Sequence, residues 1–270
     1  MDMAGRSEGR EVLGAVAGRP EQEDVEIGID RVCDDLLEAW CRRSGLSFDI
    51  HSEHGLRRVD GTGERYLIAT DPFDGSGLFS RGLPAEWWSV LSIYTADLTP
   101  VAGGAVDIIR RQLYLADENN VTVTPLDGGS PQRIQPPSKT ALDDSAVIAA
   151  FLMEPSYFAT WAKEGSALLT TLIQKHPGAR IWPNGGSCIY PWLAQGKVHA
   201  YVMFNEPRSE VDPGLAFASA AGYPVVSVLP DGSFEAYRFE PGKTAGRVPL
   251  LVAACTEDMA RSVIDTIFSR

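Results

Sequence analysis

Six consecutive residues limit most strongly what this chain can become: Asp71-Pro72-Phe73-Asp74-Gly75-Ser76, placed directly behind the apolar run at 66–69. Pro72 lacks an amide donor and fixes φ, and Gly75 relieves steric limits, so the context predicts a strand followed by an acidic turn. A chain that folds back sharply there brings the carboxylates of Asp71 and Asp74 to a common centre. Hard cations such as Mg2+ favour oxygen ligands of that kind, including backbone carbonyls such as that of Phe73. Asp, Pro and Gly are also ordinary turn residues, so residue type alone leaves a plain turn equally open. Behind the acids, Gly75-Ser76-Gly77 can present successive N–H groups, and a short helix beginning there would direct its N-terminus at a phosphate.

The surrounding periodicity sets the frame for those residues. Ile29, Val32, Cys33, Leu36, Leu37, Trp40 and Cys41 repeat at the three-and-four spacing of one buried helical stripe that Ser44-Gly45 stops, with Asp30 and Asp34 off the stripe. Asp30 falls in the first turn, where a carboxylate suits the helix dipole whatever else it does. Short β-type runs at 66–70, 88–96, 101–106, 112–116 and 121–124 predict a sheet of hairpins and meanders. The Gly-, Pro- and Ser-rich stretch 125–137 reads as the main loop, dividing the chain into halves 1–137 and 138–270 that form one compact unit. The second half mixes periods, with helices expected at 156–175, 187–195, after Asp212 to Gly222 and at 257–269, and strands at 198–203 and 225–228. Helices packed on sheets give an α/β (α+β) class.

Charge and cysteine usage narrow the function. In 270 residues, 36 acids against 24 bases leave a net charge of -12, which opposes binding to nucleic acid or an anionic membrane. An anionic substrate would need something cationic to receive it. Cysteines 33, 41, 188 and 255 form no C-x-x-C pair, so reduced thiols in a cytoplasmic protein are expected. No apolar run approaches the roughly 20 residues that span a bilayer.

Further acids have bland readings beside functional ones. Glu53, in His51-Ser52-Glu53-His54, reads as a solvated loop acid between solvated histidines, since the spacing is not that of a helical H-E-x-x-H zinc site. Asp212-Pro213 has the form of an N-cap followed by Pro at the first helical position. Gly242-Lys243-Thr244 lacks the earlier glycine of a P-loop, since that position is Tyr237, and Gly75-Ser76-Gly77 lacks the spacing of a nucleophile elbow. Trp87-Trp88 reads as core.

Residues 71–76 resemble the D-P-I/L/F-D-G-S/T signature of the inositol monophosphatase and fructose-1,6-bisphosphatase superfamily, which hydrolyses phosphate monoesters with Mg2+. Other blocks follow in the family's order from about Asp24 to Gly232. Residues 24–30 resemble the D-x-V-T-x-x-D entry to an acidic helix, carrying a metal-associated acid onto Asp30. Residues 52–55 resemble the G-E-E-S loop, carrying a ligand onto Glu53. Residues 186–201 resemble G-S-A...A-G-x-x-D-A-Y, and residues 210–222 resemble W-D-x-A-A...E-A-G-G, carrying the last ligand onto Asp212. Three positions depart from the pattern: Ile27 replaces a Thr, His54 the second loop Glu, and Val211 a Trp.

The resemblance implies a layered αβαβα sandwich, a homodimer and two or three Mg2+ ions. Glu53, Asp71 and the Phe73 carbonyl would hold one ion; Asp71, Asp74 and Asp212 a second; Asp30 would assist a third or the attacking water. Ser76 would orient that water, the amides of Gly75 and Ser76 would bind phosphate oxygens, and Gly186, Ser187 and Cys188 would lie near the alcohol. Counting back seven from Asp212 reaches Asn205, and the loop 203–210 leaves Asn205 and Glu206 as substrate-side candidates. The implied substrate is a small phosphorylated metabolite: a sugar, nucleoside or polyol monophosphate is preferred, with histidinol phosphate, fructose bisphosphate and adenosine bisphosphate open. A second reading, resting on His54 and Val211, is a family member with weakened catalysis that acts as a binding or regulatory protein.

Overall fold

The computed structural model describes residues 7–16, 25–152 and 155–268. Asp24, the first residue of the acidic-helix block, and Ser269, the expected end of the last helix, lie outside the described residues.

A hairpin of β1 (Val12–Ala15) and β2 (Val25–Ile27) leads into α1 (Gly28–Ser44), which ends where Gly45 takes a left-handed φ of 75°. The first large sheet follows from β3 (Ser47–Ser52), β4 (Gly55–Val59) and β5 (Arg65–Asp74). Beyond α2 (Ser76–Ser80) it continues as β6 (Trp88–Tyr94), β7 (Pro100–Asp107), β8 (Gln112–Asp117), β9 (Asn120–Pro125) and β10 (Gln132–Arg133). Its order, β10-β9-β8-β7-β6-β5-β3-β4, is an antiparallel meander closed by the parallel pair β3 and β5. In β6 the alternation is plain: Trp88, Val90, Ser92 and Tyr94 are buried and the residues between them only partly.

The second sheet begins with β11 (Val147–Ala150) and, past α3 (Ala162–Lys175), β12 (Arg180–Trp182). After α4 (Ile189–Gln195) come β13 (Ala200–Pro207), α5 (Leu215–Ala221), β14 (Val225–Val228), β15 (Phe234–Ala236), β16 (Arg247–Ala254) and α6 (Glu257–Ile267). The order is β12-β11-β13-β16-β14-β15.

Four cores define the layers. Trp88, Tyr114, Tyr190, Trp192, Phe217 and Leu251 belong to one cluster, so α4 and α5 lie between the two sheets. Leu168, Leu172, Met259 and Val263 pack with Ile148, Val202 and Val252, placing α3 and α6 on the outer face of the second sheet. Cys41, Phe48, Ile50 and Ile68 place α1 on the outer face of the first, and Ile27, Phe73, Phe79 and Trp87 join the start of α1 to α2. The result is the expected αβαβα sandwich.

Three local expectations are corrected. Of the apolar stripe of α1, Ile29, Cys33, Leu37 and Cys41 pack on the cores while Leu36 and Trp40 are exposed; Asp30 and Asp34 are buried with them, Asp34 because His54 and Arg57 receive it. Residues 203–210 are not a long loop, since β13 runs to Pro207. The loop histidines are not solvated: His51 lies buried in β3, and the His54 side chain is 5% exposed.

Candidate metal centre

Along a regular strand, residues three apart point to opposite faces. Asp71 pairs with Val90 and Asp74 with Trp88, so β5 takes three steps where β6 takes two. The extra residue is a β-bulge, which restores both carboxylates to one side. The expected sharp reversal after residue 70 is therefore replaced by a strand that continues through Asp74. The bulge is anchored by the Phe73 ring, edge-on to Phe79 at 5.2 Å, which in turn meets Trp87 at 5.1 Å.

Gly75 closes the bulge with φ 99°, and a Cβ there would collide with the Glu86 carbonyl oxygen. Beyond it α2 begins, its first turn closed by the Leu78 and Phe79 amides donating to the Gly75 carbonyl at 3.0 and 2.9 Å. Ser76 thus stands at the start of a short helix beside the acids.

Among the described residues, one group of three acids converges: Asp71, Asp74 and Glu210 each place a carboxylate oxygen within 4.8 Å of the others. Burial pushes Asp71 well above the usual carboxylate range, followed by the negative charges of Asp74, Glu53, Glu210 and Asp30. Asp71 Oδ1 is buried with no hydrogen-bond partner among the described residues. Asp74 rises to about 6 through burial, tempered by hydrogen bonds from Cys188 and Ser187. Buried carboxylates facing one another around an unbonded oxygen require protons or a cation. Oxygen donors of this number and charge fit a hard divalent ion.

Asp212 does not join this group. It is fully buried, accepts the Tyr237 hydroxyl at 2.7 Å, and lies 3.8 Å from Arg208 Nε. Burial brings it to about 7, against the lowering effect of Arg208 and Tyr237. The acid that the segment 210–212 contributes to this group is Glu210, while Asp212 Oδ2 is buried with no hydrogen-bond partner among the described residues. Arg208, four residues ahead of Asp212, was the sequence signal that this carboxylate has a cationic partner of its own.

The remaining candidates surround the acids. Asp30 is buried at the start of α1 and accepts the Ile27 amide at 2.7 Å, as an N3 acid does in a capping box. Glu53 lies 3.5 Å from His54 Nε2, while His54 Nδ1 lies 3.0 Å from Asp34 Oδ2. Burial disfavours the charged imidazole, yet Asp34, Glu53 and Asp30 together raise it to about 9. Arg57 shares Asp34 at 3.1 Å.

Residues 186–188 reach over from the second sheet. Ser187 Oγ and the Cys188 amide donate to Asp74 Oδ2 at 3.1 and 2.8 Å. Gly186 has φ 105°, and a Cβ on it would stand 2.7 Å from the Asp74 carboxylate. Its amide donates to the Tyr201 hydroxyl at 2.6 Å, and that hydroxyl donates to Glu206 at 2.8 Å. Glu206 is buried. Asn205, at φ 56°, accepts Arg247 through its carbonyl at 2.7 Å.

No protein-family model matches the sequence, and no curated protein matches it. Solved structures do match the fold. A Thermotoga maritima IMPase aligns with a TM-score of 0.69 over 99% of this chain and 93% of its own, at 14% identity. A Pyrococcus horikoshii hypothetical protein with similarities to inositol-1 monophosphatase gives 0.66 over 98% and 91%, at 18% identity. The inositol monophosphatase of Zymomonas mobilis gives 0.62 over 88% and 82%, at 18% identity. At such identities the likeness is one of fold.

Proposed function

We propose that this chain, sharing its fold with inositol monophosphatases, is a divalent-cation-dependent phosphomonoesterase acting on a small phosphorylated metabolite. The observation that carries the reading is the convergence of Asp71, Asp74 and Glu210 around a buried, unbonded Asp71 oxygen. These three residues form the core of the cation site, with Glu53 and the Phe73 carbonyl as further candidate donors. Mg2+ bound there supplies positive charge for the phosphate and acidifies a water.

The chain's own groups have distinct tasks. Gly75 and Ser76 amides are the candidate donors to phosphate oxygens, and Ser76 Oγ is the candidate group to orient the attacking water. Asp30 lies close enough to influence Asp71 electrostatically and is the candidate proton acceptor behind Ser76. Ser187 and Cys188 hold Asp74, and with Gly186, Asn205 and Glu206 they are the candidate residues of the alcohol side. The halves 1–137 and 138–270 act together, one supplying Asp71 and Asp74 and the other Glu210. A sugar, nucleoside or polyol monophosphate is the proposed substrate, hydrolysed in the cytoplasm by a homodimer.

The test is phosphate release from a panel of such esters with Mg2+ against EDTA, in wild type and Asp74→Asn. Release that survives either EDTA or the substitution would overturn the assignment. A second reading, weakened catalysis with a binding role, is favoured by His54, whose ring nitrogen beside Glu53 offsets part of that acid's charge. Cation binding without release of phosphate from any ester of the panel would select it.

A further inference from the structure

Glu86, just ahead of β6, has no assigned part in the chemistry, yet three of its features are unusual together. It is only 3% exposed, its backbone is left-handed at φ 54° although it is not glycine, and its carboxylate accepts the Asn184 side-chain amide. Burying a carboxylate and holding a branched-out side chain at positive φ both oppose folding, so such a residue persists only where its surroundings fix it. Burial and the nearby Asp74 charge act on it as on the acids of the cation site.

Its position explains the arrangement. The Glu86 carbonyl lies where a Cβ on Gly75 would have to stand, which puts the residue's main chain against the bulge that carries Asp74. Its side chain reaches the opposite way, to Asn184 in the second half of the chain. Asn184 is itself buried and opens the segment whose Ser187 and Cys188 donate to Asp74 Oδ2. On the far side the same segment is held by Tyr201, through the Gly186 amide. Residues 184–188 are thus fastened at one end to Glu86, in the middle to Tyr201 and at the other end to Asp74.

We infer that Glu86 is a positioning residue: through Asn184 it pins residues 184–188 so that Ser187 and Cys188 hold Asp74 in the orientation that the cation site needs. The inference rests on the proposed cation site and goes further by naming what sets its geometry. Partners behind a ligand commonly govern cation affinity by 10–100-fold, and Glu86 acts one step further back, so an effect near about tenfold is expected.

The experiment compares Glu86→Gln, which keeps an oxygen acceptor for Asn184, with Glu86→Met, which keeps the length and removes the acceptor. Hydrogen exchange of the metal-free proteins is followed by mass spectrometry over residues 184–190, and Mn2+ binding is measured by titration calorimetry. The expected result is faster exchange in Glu86→Met confined to that segment, about tenfold weaker Mn2+ binding, and near wild-type behaviour in Glu86→Gln. Exchange that is unchanged, or raised evenly across the whole chain, overturns the inference; so does equal disturbance by Gln and Met. If Glu86→Met does not fold, Asn184→Ala removes the same contact and is judged by the same outcomes. A wild-type protein that binds no Mn2+ would overturn the cation site itself, while the exchange comparison would still decide whether Glu86 fastens the segment.

Discussion

Asp74 Oδ2 accepts the Cys188 amide at 2.8 Å, so the acid on β5 and the turn that opens α4 are fastened to each other although they belong to different layers of the sandwich. Ser187 Oγ donates to the same oxygen at 3.1 Å. Two hydrogen bonds to one oxygen hold the carboxylate by that edge while the group as a whole faces Asp71 and Glu210.

Exchanging the acids of the segment after β13 separates their roles. Glu210→Gln should weaken divalent-cation binding by about 10–100-fold, whereas Asp212→Asn should leave it close to wild type because Asp212 stands outside the three converging acids and already has Tyr237 and Arg208 as partners. Calorimetric titration with Mn2+ measures both. Equal losses in the two variants would contradict the assignment of Glu210.

Gly186→Ala should cost stability by about 1–3 kcal/mol, since alanine is strained at φ 105° and its Cβ presses on the Asp74 carboxylate. Urea unfolding in EDTA reads the loss directly. Cation affinity should fall with it, because the displaced group is Asp74.

Stability of the metal-free protein should decline as pH rises through about 7. Burial raises Asp212 from 3.8 to about 7, so the folded state binds its proton more tightly than the unfolded chain does. That contribution is fully present below the unfolded value and is lost as pH climbs through the folded one. Melting temperatures between pH 5 and 8 in EDTA should therefore fall, and Asp212→Asn should flatten part of the slope. A slope unaffected by the substitution would show that other groups carry it.

His54→Ala removes one of two cationic partners of buried Asp34, leaving Arg57 at 3.1 Å. A loss of about 1–3 kcal/mol is expected in urea unfolding. Asp34→Asn in the same background should recover part of it by removing the charge that His54 had met.

Much of the architecture is legible before any coordinates, and the exceptions share a cause. The strands of the first sheet announce themselves because Trp88, Val90 and Tyr94 alternate with less buried residues, and α5 because Gly222 ends it at φ 72°. β16 is harder to read, since Pro249 interrupts an otherwise apolar run. β3 is obscured by Asp49 between its core residues Phe48 and Ile50 and by His51 directly after them. In α1 the stripe does face the core through Ile29, Cys33, Leu37 and Cys41, but periodicity weighs hydrophobicity and cannot see that His54 and Arg57, from a later hairpin, receive Asp34.

The candidate site divides in the same way. Asp71 and Asp74 are marked by their local pattern, but the convergence of Glu210 with them and the Tyr237 and Arg208 contacts of Asp212 are tertiary and carry no local signature. Glu86 carries no motif at all. It stands out only through burial, a left-handed backbone and a partner in the other half of the chain.

The bulge in β5 makes the centre a matter of parity. Asp71 and Asp74 are an odd number of residues apart, and only the additional residue between them converts that spacing into an even one for the alternating strand. Inserting a single residue between Pro72 and Phe73 with the bulge retained would keep every acid in the chain yet send one of them through to the opposite side of the sheet. Evolution or engineering can vary the side chains there far more freely than the count.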